Sequence, residues 1–326
     1  MKALVCKQYG PIEGLAIGEL PDPEPAAGQV VVGVRACGVN FPDLLIVQGK
    51  YQIKPPPPFA PGGEVAGVVE AVGAGVQGLR VGDRVLAMAF WGGMAEKLAA
   101  DAAQVVRIPD GVDFVSASCV ATAYGTSLHA LRDRASLRAG ETLLVLGAAG
   151  GVGLAAVHIG KRMGARVIAA ASSAEKLETC RKHGADLTVD YSKEDLKERV
   201  KALTGGVGAD VVYDPVGGPL TEAALRATAW HGRHLVIGFA AGDIPRIPAN
   251  LVLLKCCSLV GVFWGMELVR DRPTLLAQIE EILGWLKDGS LRPHVHATVP
   301  LERAVEALRD VQERRVHGKL VLTVGS

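Results

Sequence analysis

Three regimes of hydrophobic and polar patterning divide the chain. Over residues 1 to about 122, short alternating or apolar runs such as 29–36, 67–72 and 84–87 are separated by the turn signals AAG, PGG and VGD, which predicts many short, mostly antiparallel strands. Pro55 to Pro58 form an extended loop, because proline fixes φ and has no N–H to donate. From about 124 to 262 the period changes. Apolar runs at 143–146, 166–171, 187–190, 210–213, 234–238 and 258–262 alternate with helical segments at about 151–163, 174–183, 193–203 and 219–229. Strand–helix alternation with short loops predicts a doubly wound parallel sheet. The last stretch carries two amphipathic helices, one with Leu275, Ile279, Ile282 and Leu286 on a face and one with Leu301, Val305 and Leu308, then a closing strand at 319–324. The tail resumes the character of the first stretch. The expected organisation is therefore a β-rich domain over 1–122 completed by 266–326, with a doubly wound α/β domain over 123–265.

Composition narrows the partners. The 326 residues carry 35 Lys and Arg against 34 Asp and Glu, too balanced to make nucleic acid or an anionic membrane an expected partner. Glycine is frequent, at 40 residues, and aromatics are only 5%, which suits tight βα turns better than a base-stacking surface. The six cysteines contain no CxxC pair, so a zinc ribbon or thioredoxin-type motif is excluded. The N-terminus lacks a long apolar h-region, and the expectation is a cytoplasmic protein.

The strongest local chemistry is Leu143-Leu-Val-Leu-Gly147-Ala-Ala-Gly150-Gly151-Val152-Gly153, which follows a strand and opens a helix. Glycines there let backbone approach a pyrophosphate, and the helix N-terminus supplies N–H donors, so a dinucleotide site is expected at Gly147, Gly150, Gly151, Val152 and Gly153. The second strand ends in Ala169-Ala170-Ala171-Ser172-Ser173, with no carboxylate where an NAD site places one. Ser172, Ser173 and Lys176 are candidate ligands of a 2′-phosphate, so the expected cofactor is NADPH. The alternative is that a serine only caps the helix from Ala174 and Lys176 is a solvated charge.

A β-rich half followed by a doubly wound nucleotide domain resembles the medium-chain dehydrogenase/reductase superfamily, whose β-rich domain is GroES-like and whose nucleotide domain is a Rossmann fold. Its alcohol dehydrogenases carry a zinc-binding Cys in G-[IV]-C-x-x-D and a His in G-H-E. The matching stretches here read Gly38-Val39-Asn40-Phe41-Pro42-Asp43 and Gly62-Gly63-Glu64, so Asn40 and Gly63 stand at the ligand positions. Cys119 lies near a third, but one ligand holds no metal, and none is expected. Five motifs, GVNFPDLLIVQGKY, PFAPGGEVAGVVEAVG, AGETLLVLGAAGGVG, DYSKEDLKERVKALTGGVGADVVYDPVGG and HGKLVL, together resemble the zinc-free NADPH:quinone oxidoreductases of the zeta-crystallin group.

That resemblance implies roles. Asn40 and Asp43 match active-site residues, and Tyr51, closing the first motif, is placed at the substrate. Thr126, Phe239, Phe263, Trp264, Gly265 and Lys319 match cofactor contacts, and Tyr191 matches a Tyr beside the adenosine 2′-phosphate. Ile46 stands where many members have Tyr. The implied activity is hydride transfer to a quinone in the cleft between the domains, with Asn40's amide as a donor to the developing oxyanion. An enone or enoyl-thioester reductase is the alternative, and a cofactor-binding protein with a structural or RNA-binding role is a further one. The apolar run 258–264 reads as the last strand of the parallel sheet, an exposed edge that a homodimer would pair.

Overall fold

The computed structural model describes residues 1–325. They form two compact units, Met1–Thr122 together with the segment from Asp271 onward, and Ala123–Arg270.

The second unit is built on a six-stranded parallel sheet. In spatial order its strands are Leu187–Asp190, Arg166–Ala171, Thr142–Val145, Ala209–Asp214, Thr228–Val236 and Ser258–Gly261. The central strand Thr142–Val145 is buried on both faces, which explains its continuous apolar run. The order reverses direction between Thr142–Val145 and Ala209–Asp214, the switch point at which doubly wound sheets bind ligands beyond their C-terminal strand ends. Helices Gly151–Arg162, Ala174–Lys182, Leu196–Leu203 and Pro219–Ala227 cross between strands.

Three boundaries differ from the periodicity. The helix expected from Lys193 begins at Leu196, because the Lys193 and Glu194 N–H groups turn back to the Asp190 carbonyl and Asp195 caps the helix by accepting from the Glu198 N–H at 2.8 Å. The helix read to 229 stops at Ala227, and a strand starts at Thr228 through the polar stretch Trp230-His231-Gly232, which carries no strand signal. The run 258–264 is not one strand. It pairs as Ser258–Gly261 and then turns into the helix Trp264–Arg270, with the Phe263 carbonyl accepting from the Met266 and Glu267 N–H groups at 3.0 and 3.1 Å.

The first unit holds a seven-stranded sheet. Its main path runs Val295–Pro300, Lys319–Thr323, Gln29–Val39, Glu64–Val72, Arg84–Met88 and Val105–Arg107, with Lys97–Asp101 also paired to Gln29–Val39. All pairings are antiparallel except Val295–Pro300 with Lys319–Thr323. The register sets Leu320 opposite Val39 and Cys37 opposite Val65. Three chain segments far apart in sequence therefore converge at one end of adjacent strands: Val39-Asn40, Glu64 and Lys319. The core beneath them is aliphatic, drawn from Val30, Val32, Leu44, Ile46, Val65, Leu308 and Leu322.

Candidate functional site

In the second unit, Thr142–Val145 delivers the chain into the glycine turn. Gly147 has φ +55°, the left-handed region that favours glycine, and a Cβ there would lie 2.8 Å from a Val216 methyl. Gly150 occupies the N-cap of Gly151–Arg162 in extended conformation, without a side chain over the helix mouth. At Gly153 a Cβ would lie 2.8 Å from the Ala148 Cα and nearer still to the Gly147 carbonyl oxygen, so the helix and the turn touch backbone to backbone. The first-turn N–H groups of this 12-residue helix lack intrahelical partners, and with no side chain at Gly150, Gly151 or Gly153 they form a cradle that fits a pyrophosphate.

The second strand end gathers the other cofactor candidates. Tyr191 donates its N–H to the Ala171 carbonyl at 3.1 Å, which seats it beside Ser172. Ser173 caps Ala174–Lys182 by accepting from the Lys176 N–H at 3.3 Å, so the capping alternative describes its oxygen, while its hydroxyl hydrogen is not used by that bond. The Lys176 ammonium lies 3.5 Å from the Ser172 hydroxyl. The structure thus brings Ser172, Ser173, Lys176 and Tyr191 together.

Phe239 follows the fifth strand and packs on the 215–218 loop, whose Gly217 has no room for a Cβ beside the Phe239 ring. Phe263 and Gly265 follow the last strand, and Trp264 is buried at the start of the next helix. Thr126 is half-buried. Its neighbour Ser127, which patterning did not single out, binds the Ala123 and Val152 carbonyls at 2.9 and 3.1 Å and the Tyr213 hydroxyl at 3.0 Å, tying the 121–134 segment to the glycine-rich helix. Among charged groups at the strand ends, Asp214 is held ionised. Burial opposes its charge, but bonds from His234, Thr221 and the Gly217 N–H outweigh burial and lower its pKa.

The first unit contains a closed polar cluster. Asn40 precedes the helix Phe41–Val47, and the Asp43 carboxylate accepts the Asn40 N–H at 2.8 Å while the Asp43 N–H returns to the Asn40 carbonyl. The Asn40 amide donates to the Gly38 carbonyl at 3.1 Å and to Glu64 Oε2 at 3.0 Å, and its Oδ1 accepts from Lys319 Nζ at 2.6 Å. This orientation of the amide follows from its neighbours, since the reverse would set NH2 against ammonium. Both amide hydrogens are engaged, so Asn40 in this arrangement presents no donor to an oxyanion.

Lys319 is 3% exposed and also reaches the Val39 carbonyl at 3.3 Å and Glu64 Oε2 at 3.4 Å. Its three hydrogens are used within the cluster. Glu64, fully buried, was not singled out by pattern. Its second oxygen accepts the Thr122 N–H at 3.2 Å. The only signal for it was its place after Gly62-Gly63. Asp43 is equally buried, and desolvation pushes its pKa up to about 7 against the backbone bonds at Asn40 and Gly62 and the Lys319 charge. Tyr51, half-buried, has its hydroxyl pKa raised by burial and by the Asp43 charge.

The residues of this site do not fit a zinc ion. A Cβ on Gly63 would lie 2.7 Å from the Ala89 carbonyl oxygen, so no imidazole fits there without moving backbone. Burial raises the Cys119 thiol to about 12 and Cys37 well above its ordinary value. No group of three His, Cys, Asp or Glu among the described residues is arranged to hold a metal. Nor is any helix among them long and apolar enough to cross a membrane.

Residues 26–110 match the alcohol dehydrogenase GroES-like domain family and residues 151–281 the zinc-binding dehydrogenase family. The chain is 41% identical over 297 residues to quinone oxidoreductase-like protein 2 homolog of Nematostella vectensis, covering 90% of this chain and 81% of the relative. It is 36% identical over 316 residues to a quinone oxidoreductase of Pseudomonas aeruginosa, covering 96% and 97%. The crystal structure of Escherichia coli quinone oxidoreductase complexed with NADPH superposes with a TM-score of 0.92 at 28% identity, over 99% of this chain and all of that one.

Proposed function

Because the chain belongs to the quinone oxidoreductase family of medium-chain dehydrogenases/reductases, we propose that it is an NADPH-dependent quinone reductase that works without a metal. The observation that carries this reading is the pairing, in one chain, of a dinucleotide cradle with a buried Asn40–Glu64–Lys319 cluster where the zinc enzymes keep their ligands. NADPH, when bound, supplies a hydride. The backbone N–H groups of Gly151 to Gly153 hold the pyrophosphate, and Ser172, Ser173, Lys176 and Tyr191 bind the 2′-phosphate. No carboxylate follows Ala171 directly to repel that phosphate. The donor set fits no Lewis acid, so the substrate must delocalise the added charge itself. A quinone does so as a phenolate, and the chain's part is to position it and exclude water.

NADPH oxidation measured against a panel of quinones and a panel of enones tests the reading. Quinone turnover well above enone turnover is expected, and the reverse ratio would make the chain a C=C reductase. Replacing Lys176 by Ala should weaken NADPH by about 1–3 kcal/mol, the worth of a charged hydrogen bond, and leave NADH nearly unchanged. Equal loss for both cofactors would remove Lys176 from the phosphate site.

The chain also presents an assembly surface. The edge strand Ser258–Gly261 pairs with another strand on one side only, its outward Gly261 carbonyl accepting from Arg134 Nε at 3.2 Å, and Leu253, Leu254, Leu259, Phe263 and Val269 are exposed near it in sequence. A homodimer that pairs two such edges removes both liabilities. Light scattering should give twice 34.0 kDa, and Leu259→Pro, which removes an N–H on the open side of the edge strand, should reduce it to the monomer value. A mass of 34.0 kDa for the unaltered chain would reject the dimer.

A further inference from the structure

The strand order of the second unit gives a bound dinucleotide its direction. Ser172, Ser173, Lys176 and Tyr191 stand at the ends of Arg166–Ala171 and Leu187–Asp190, on one side of the glycine cradle that follows Thr142–Val145. On the other side come the ends of Ala209–Asp214 and Thr228–Val236. With the 2′-phosphate on the first pair of strands and the pyrophosphate on the cradle, the nicotinamide end extends over the second pair.

Asp214 is the last residue of its strand on that second side, and its carboxylate is 3% exposed. Oδ1 accepts from the N–H groups of Val216 and Gly217, both at 2.9 Å. Oδ2 accepts from the Thr221 hydroxyl at 2.6 Å and from His234 Nε2 at 3.2 Å. The Asp214 carbonyl accepts from the Ile237 and Gly238 N–H groups at 3.0 and 3.4 Å. The loop so held sets a Val216 methyl over Gly147. Its Pro215 and Val216 carbonyls accept from the Ala240 and Ala241 N–H groups at 3.1 and 2.8 Å. One residue therefore fixes two stretches at once, 215–218 and 237–241, and the second carries Phe239.

His234 shows that the arrangement does more than fill space. The imidazole is fully buried, its Nε2 is engaged by Asp214, and its Nδ1 has no partner among the described residues. A buried nitrogen left unpaired is destabilising, so an aliphatic side chain would serve packing better. What the imidazole supplies is a donor to Asp214.

We propose that Asp214 is a positioning residue for hydride transfer: through 215–218 and 237–241 it sets the wall on which the nicotinamide end of the cofactor rests, while Thr221 and His234 hold its carboxylate in place. The inference rests on the quinone-reductase reading given above. Asp214 itself touches no reacting atom. It acts on the orientation of the ring, and a displacement of about an ångström there is enough to slow the transfer greatly.

Calorimetric titration with NADP+ and with adenosine 2′,5′-bisphosphate separates this role from general damage. The bisphosphate contains only the half of the cofactor assigned to Ser172, Ser173, Lys176 and Tyr191. In Asp214→Ala the two loop N–H groups lose their acceptor, so NADP+ should bind about tenfold more weakly while the bisphosphate binds as before. Asp214→Asn keeps an oxygen for those N–H groups, and Thr221 and His234 can each turn an acceptor toward its NH2, so NADP+ binding should return. The kcat for a quinone at saturating NADPH should fall about a hundredfold in Asp214→Ala, with a larger isotope effect from deuterium at the transferred position, and recover in Asp214→Asn. Equal weakening of both ligands in Asp214→Ala overturns the proposal, as does weakening of neither, or an Asp214→Asn that binds NADP+ no better than Asp214→Ala. If Asp214→Ala does not fold, Thr221→Val decides. It removes one bond from Oδ2 and should show the same split between the ligands at smaller size; no split overturns the proposal. A split in a protein that reduces no quinone leaves Asp214 its positioning role and overturns the quinone reading instead.

Discussion

Lys319→Met should be among the most destabilising single substitutions in this chain. It leaves Glu64, fully buried, facing the Asn40 amide and the Thr122 N–H with no cation. Breaking a buried ion pair from one side typically costs about 3–5 kcal/mol, because the surviving charge keeps its desolvation penalty. For a unit of this size that lowers the unfolding midpoint by about 6–20 °C. The double variant Lys319→Met with Glu64→Gln should recover part of the loss, since the amide drops the charge and keeps one acceptor for the two N–H groups that the carboxylate satisfied. Glu64→Gln alone should be milder than Lys319→Met, because the Lys319 ammonium keeps the Val39 carbonyl and Asn40 Oδ1 as acceptors. Denaturant melts of the three variants check the series. Equal losses for Lys319→Met and the double variant would mean that the pair contributes by packing and not by charge.

The second large effect is expected at Gly153. Alanine there would press its methyl against the Gly147 carbonyl and the Ala148 Cα, both backbone, so the turn must move away from the helix mouth. Overpacking of this kind costs about 1–3 kcal/mol. The N–H groups also lose their aim at the pyrophosphate, and NADPH affinity should fall by at least about tenfold, which corresponds to 1.4 kcal/mol. Gly160→Ala provides the contrast. Its methyl would lie 2.5 Å from Leu143 Cδ2 and 3.2 Å from a Val167 methyl, one turn from the helix end and far along it from the cradle. That variant should lose stability and keep its cofactor affinity. Calorimetric titration with NADPH, run beside thermal melts of both variants, separates the two outcomes.

How much of this was legible in the sequence depended on the range of the interaction. Leu143 to Gly153 announced itself because strand, turn and helix are consecutive and each glycine answers a local demand. The parallel sheet was readable for the same reason, since every crossover repeats the change from a period of two or none to one of 3.6. Trp264 was misplaced in a strand because an apolar run of seven residues carries no mark of where pairing stops, and a tertiary turn at Phe263 decides it. Glu64 stayed invisible as a functional group. A single carboxylate at the start of a strand says nothing alone, and its partners Asn40 and Lys319 lie 24 and 255 residues away. Asn40 was legible by position, but not the fact that its amide hydrogens are consumed by Gly38 and Glu64. That depends on the register between three strands, which local pattern does not encode.

The same register has a consequence for synthesis. The strand Lys319–Thr323 closes onto Gln29–Val39, and Lys319 meets Val39 across a separation of 280 residues. At about 5–20 residues per second, a ribosome needs roughly 15–60 s to bridge that gap. Throughout that interval the nascent first unit carries Glu64 and Asp43 with no Lys319 to answer them and an open sheet edge along Ala36–Val39, while Ala123–Arg270 emerges as a contiguous block with its own parallel sheet. The nucleotide-binding unit is thus free to mature on the ribosome. The half that carries the carboxylates cannot close its cluster until the final strand arrives and brings its charge.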